Sequence, residues 1–118
     1  MNTEGFKAKS PGRSVREKSL ENYLSRKVRE QGGLCWKFVS PGRSGVPDRV
    51  VIFKGFAIFV ELKRPGQKPR ELQKIRIDEL REAGGWVEVV SSKSEADTFL
   101  AKLNALRKGK THDAICAA

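Results

Sequence analysis

Asp48 and, thirteen residues later, Glu61 with Lys63 are the residues of this 118-residue chain whose types and spacing could do chemistry. They flank Lys54-Gly55, a two-residue gap between the β-rich runs 48–53 and 56–63 that reads as a tight hairpin. In such a hairpin Phe53 faces Phe56, and stepping back along both strands puts Asp48 opposite Glu61. Directly opposed residues share a face, with Cβ atoms roughly 5 Å apart. Two carboxylates at ~5 Å repel by about 3 kcal/mol at an effective dielectric near ~20. A divalent cation between them is the natural compensation, because hard ions take carboxylate oxygens. Period-two spacing turns Lys63 to the same face as Glu61, where an ammonium could orient a water or stabilise charge on a phosphate. The pattern admits an ordinary reading as well: a cross-strand ion cluster with Asp48 and Glu61 neutralised by Lys63 and Arg49. A register slip of one residue would also send Asp48 to the other face.

The flanking sequence supplies the elements that would hold these groups. Residues 1–13, rich in Lys, Gly, Ser and Pro, read as a flexible basic arm. Ser14 and Glu17 have capping-box spacing and open a helix over about 15–31, with Leu20, Tyr23, Leu24 and Val28 as its buried stripe. Gly32-Gly33 closes it. Leu34 to Val39 is a short strand pattern, and Ser40 to Gly45 is a loop. Phe56 to Val60 is apolar on both faces, as in a strand covered on both sides, so the charges of Glu61 and Lys63 at its end are costly unless they serve a purpose. A basic loop over 64–69 leads to a helix opening at Pro69 or Arg70 and ending near Ala83. Trp86 to Val90 is a fourth strand, and Ser92 with Glu95 caps a last helix bearing Ala96, Phe99, Leu100 and Leu103 on one face. From Arg107 onward the pattern dissolves. The order αβββαβα predicts an α/β domain over 14–106, with a flexible tail over 107–118. Trp36 and Trp86 sit in strand patterns and are expected in the core rather than on a base-stacking surface.

Charge narrows the function. The chain carries 24 Lys+Arg against 14 Asp+Glu, a net of +10. Each tail holds +2, which leaves +6 in residues 15–106. A basic body calls for a polyanionic partner, and nucleic acid is the commonest. No apolar run approaches the ~20 residues that span a bilayer, and no basic amphipathic helix supports a membrane surface. Met1 to Ser14 has no stretch suited to a signal peptide, so a soluble cytoplasmic protein is expected. Cys35 and Cys116 make neither a disulfide framework nor a zinc site.

Gly45-Val46-Pro47-Asp48 followed by Glu61-Leu62-Lys63 resembles the PD-(D/E)xK nuclease superfamily. With Glu21 on the first helix, the G-x-P-D-R turn and Gln73 on the following helix, residues 17–103 resemble more closely the VRR-NUC domain. This is the virus-type replication-repair nuclease found in phages and in a DNA crosslink-repair nuclease. The resemblance implies a restriction-endonuclease-like core, a mixed sheet of about four strands flanked by helices. It implies that Asp48, Glu61 and the Leu62 carbonyl bind Mg²⁺ or Mn²⁺. Lys63 would position the attacking water, Glu21 would complete the acidic site directly or through a water, and Gln73 would contact the water or the scissile phosphate region. It further implies structure-selective cleavage of branched DNA, in the manner of Holliday junction resolvases, by a homodimer. From spacing alone Glu21 borders the buried stripe and Gln73 shares a side with Ile77 and Leu80; either could equally be a solvated helix position.

Around the acids, Lys63, Arg64, Lys68 and Arg70 fall within eight positions, and Arg43 and Arg49 flank the other side. A cationic rim around central carboxylates suits phosphodiester cleavage, the rim holding the backbone without reading sequence. The Pro41–Gly45 loop could reach into a groove or be a plain connection. The competing class is a nucleic-acid-binding module without catalysis, which the charge supports equally and which has no need of central carboxylates.

Overall fold

The computed structural model describes residues 15–64, 67 and 69–116. The basic arm, the Ser14 cap and Lys68 lie outside the described residues. In chain order the elements are α1 (Val15–Glu30), β1 (Leu34–Lys37), β2 (Arg49–Phe53), β3 (Phe56–Leu62), α2 (Glu71–Glu82), β4 (Trp86–Val90), α3 (Lys93–Arg107) and α4 (His112–Cys116). The strands form one mixed sheet in the order β1-β2-β3-β4. The first three pair antiparallel, and β4 joins β3 in parallel after the α2 crossover. This is the expected α/β architecture. Among the described residues no helix is long and apolar enough to cross a membrane.

The β2–β3 register follows from its turn. Lys54 (φ 51°) and Gly55 (φ 85°) both take positive φ, the backbone of a two-residue turn whose twist matches that of the strands. Phe53 therefore faces Phe56, and the ladder runs on to Arg49 opposite Val60. A slip of one residue would have turned Val51, Ile58 and Val60 away from the core, and all three are fully buried.

One face of the sheet carries the core. Leu24 and Val28 of α1 and Phe99 and Leu103 of α3 pack there on Val51, Ile58, Val60 and Val90. Ser92 caps α3, its side chain accepting from the Glu95 N–H at 3.1 Å. The other face is covered by α2 at its β4 side, where the helix rests on the strand through Ile77, buried like Val87.

Two regions differ from expectation. Trp36 is 61% exposed rather than in the core: it stands beside Val50 on the sheet face turned away from α1 and α3, and nothing among the described residues covers it there. Trp86, on a strand flanked by helices, is buried as expected. Beyond Arg107, where no pattern is legible, α4 forms one short helix. The His112 ring stacks on Phe56 at 5.4 Å and meets Trp86 edge-on at 4.6 Å. Five residues with a single packed apolar side chain, Ile115, are too few to show a helical period.

Candidate active site

Continuing the β2–β3 register one step beyond Arg49–Val60 brings Asp48 opposite Glu61. The two side chains are close enough there for the Asp48 charge to act on Glu61, and on its other side Asp48 is tied to the continuation of β1, where the Phe38 N–H donates to the Asp48 carbonyl at 2.8 Å. The preceding loop is anchored rather than loose. Pro47 is fully buried, and Arg76 of α2 donates to the Ser44 carbonyl at 2.9 Å. Gly45 has φ 83° and lies so close to α2 that a Cβ would come within 2.8 Å of Leu72. Only glycine meets both conditions without strain. The G-x-P-D turn thus delivers Asp48 to the sheet at a fixed place.

Glu61 is 4% exposed at the end of β3. Its Oε2 accepts from Gln73 Nε2 at 2.9 Å and meets Lys63 Nζ at 3.4 Å. Its Oε1 is buried and has no hydrogen-bond partner among the described residues. Burial and then the negative charge of Asp48 push the Glu61 carboxyl up from 4.5 to about 7, with Lys63 offsetting only part. Gln73 is fixed from the far side, since its Oε1 accepts from the Arg70 N–H at 2.9 Å. That bond is half of the capping box that starts α2, so one side chain both closes the helix end and orients Glu61. Lys63 is positioned by its backbone, whose N–H donates to the Val90 carbonyl at 2.9 Å.

Asp48, Glu61, Lys63 and Gln73 therefore converge, and Leu62 lies in the chain between Glu61 and Lys63. Glu21 does not join them by direct contact. It is buried on α1 and ion-paired with Arg49. Arg49 follows Asp48 and points to the opposite face, toward the helices of the core. Among the described residues no group of three or more His, Cys, Asp or Glu could hold a metal ion. The Arg49 side chain is only 11% exposed, whereas Arg43, Arg64 and Arg70 are exposed around the same end of the sheet. Sequence spacing put Glu21 at the border of the buried stripe of α1 but gave no sign that it pairs with Arg49, because that depends on how α1 crosses the sheet.

The donor set fits a hard divalent cation. It offers two carboxylates, one with a buried unsatisfied oxygen, and a backbone carbonyl beside them. A cation there would relieve both the Asp48–Glu61 repulsion and the burial of Glu61.

Comparison with known proteins bears on the family and the fold. Residues 7–94 match the model of the VRR-NUC domain family. A solved structure described as a VRR_NUC domain superposes with a TM-score of 0.70 at 31% identity, covering 75% of this chain and 97% of that one. A phage protein described as "Putative nuclease p44", from Acyrthosiphon pisum secondary endosymbiont phage 1, is 55% identical over 62 residues, 52% of this chain and 67% of that protein.

Proposed function

The chain belongs to the VRR-NUC domain family of nucleases, and on that premise we propose that it is a Mg²⁺- or Mn²⁺-dependent endonuclease that hydrolyses phosphodiester bonds in branched DNA. The observation that carries this reading is the Asp48–Glu61 juxtaposition across β2 and β3, with Lys63 and Gln73 both on Glu61. Asp48, Glu61 and the Leu62 carbonyl would hold the ion. When bound, it supplies Lewis-acid stabilisation of charge on the phosphate and lowers the pKa of a water. The protein's own groups do the rest. Lys63 positions the attacking water and offsets phosphate charge. Gln73 fixes the rotamer of Glu61 and leaves the carboxylate's other oxygen for the ion. Glu21 acts on the site from the core face, by pairing with Arg49 and so holding the adjoining Asp48 in place. Arg43, Arg64 and Arg70 grip the DNA backbone without reading bases, with Lys68 as a fourth cation of the rim.

A homodimer with two sites related by two-fold symmetry would suit paired incisions across a four-way junction, in the manner of a Holliday junction resolvase. The test is incubation with labelled flap, splayed-arm and four-way-junction DNA in Mg²⁺ or Mn²⁺ at low salt. Cleavage lost in Asp48→Ala and Lys63→Ala proteins that still fold and bind DNA supports the reading; no cleavage by the folded wild type sinks it. One observation favours a non-catalytic nucleic-acid-binding module instead: Glu21 is engaged with Arg49, and no three-acid group is present among the described residues. Calorimetric titration with Mn²⁺ separates the two, because a mere binder takes up no ion that depends on Asp48.

A further inference from the structure

The sheet face that carries Asp48 and Glu61 is covered only in part. α2 closes it on the β4 side, and toward β1 its side chains stand open. Leu34 is 44%, Trp36 61% and Ile52 38% exposed. Leu34 pairs with Ile52 and Trp36 with Val50. Residues 48, 50 and 52 alternate onto one face, so the Trp36 indole and the Asp48 carboxylate rise from the same surface. They are diagonal neighbours across β1 and β2, about 7–8 Å apart at Cβ. Edge-on packing of Phe38 against Phe59 at 5.5 Å supports the surface near the acids.

An indole gains nothing from phosphate, so the exposed ring needs a planar apolar occupant that arrives with a polyanion. An unpaired nucleobase meets both conditions. Paired bases are shut inside the duplex stack, whereas bases at a branch point, gap or single-stranded arm present a free face. Arg43, Arg64 and Arg70 at the same end of the sheet match the charge of the strand that would carry such a base. A second copy seated on this face would press two cationic rims together, so the homodimer proposed above is expected to form through another surface.

We propose that Trp36 is a stacking platform for an unpaired base beside the scissile phosphate and that it selects DNA with unstacked bases over continuous duplex. The spacing of 7–8 Å corresponds to about two base rises of ~3.4 Å, so the stacked base is one or two nucleotides from the phosphate held at Asp48 and Glu61. The identity of that phosphate rests on the nuclease reading; the stacking itself does not require cleavage.

The experiment uses the full chain in EDTA, so that nothing is cut. The DNA is a splayed arm with 2-aminopurine at the first or second unpaired position, compared with a blunt duplex of the same length. Wild-type protein should quench the probe. Trp36→Ala should abolish the quench and weaken splayed-arm binding roughly 5- to 150-fold, with duplex binding changed by less than about 2-fold. Trp36→Phe should restore most of the preference, as a merely structural role for the indole would not require. Equal loss on both DNAs, or no loss on either, overturns the proposal. So does sedimentation showing that Trp36→Ala converts a dimer to monomers, which would assign the face to a second copy. If the quench and the preference hold but no DNA is cut in Mn²⁺, the nuclease reading fails and the platform stands. If wild type and Trp36→Ala cut branched DNA alike, the reverse is true.

Discussion

Two buried glutamates on opposite faces of one sheet meet opposite electrostatic fates. Glu21 on α1 lies 6% exposed beneath the sheet, and a full guanidinium, that of Arg49, neutralises it. Glu61 on β3 is buried as deeply, yet it faces another carboxylate and has Lys63 only at 3.4 Å. Its second oxygen is left without a partner among the described residues. Burying a charge is tolerable when it is paired and hydrogen-bonded and costly otherwise. The core face supplies the opposite charge within the protein. The other face leaves a deficit of positive charge that a cation from solution can fill, and this separates a structural ion pair from a candidate reactive centre.

The sharpest way to break the comparison is to exchange the consequences of losing each group. Lys63→Ala or Asp48→Ala should reduce cleavage of branched DNA on the order of 10²–10⁴-fold with little change in thermal stability. Arg49→Ala should do the opposite in stability, costing about 3–5 kcal/mol in chemical denaturation by leaving Glu21 buried and unpaired. If Arg49→Ala is stable and Lys63→Ala unfolds, the two roles have been assigned the wrong way round.

Titration sharpens the contrast. The folded Glu61 carboxyl is raised from 4.5 to about 7, so between these values the native state holds a proton that the unfolded chain has lost. Unfolding free energy of the metal-free protein should therefore fall as pH rises from about 4.5 through about 7. Glu61→Gln should flatten that slope and, at pH near 8, stabilise the metal-free protein by about 1–3 kcal/mol, read from urea midpoints. Because a cation favours the ionised form, added Mg²⁺ should raise the melting temperature more at pH near 8 than at pH near 5. No difference between the two pH values would count against Glu61 as a ligand.

The smallest expected effect concerns the rim. Arg64→Ala should weaken DNA binding uniformly across sequences and lower the slope of log affinity against log salt by about 1. Arg49→Ala, where it folds, should leave that slope unchanged, because its guanidinium lies against Glu21 and away from solvent.

How far each glutamate was legible in advance follows the range of the forces that place it. The Asp48–Glu61 pairing depends on a two-residue turn and strict alternation, both written within fifteen consecutive residues, and its register stands as read. The Gln73 capping contact is nearly as local. The Glu21–Arg49 pair and the His112 stack on Phe56 and Trp86 join segments 26 or more residues apart, and the open face around Trp36 depends on which sheet face the helices cover. Trp36 and Trp86 show the limit most plainly: both lie in apolar strand runs, and only their places in the sheet separate an exposed ring from a buried one.

The sequence by itself determined the αβββαβ order, the hairpin register and the acids that meet across it, because helix caps, glycine turns and strand period act over a few bonds. The tertiary structure alone decided which buried charge is satisfied within the protein and which face of the sheet is left uncovered. Those outcomes depend on how helices distant in the chain cross the sheet, and no local pattern encodes that crossing.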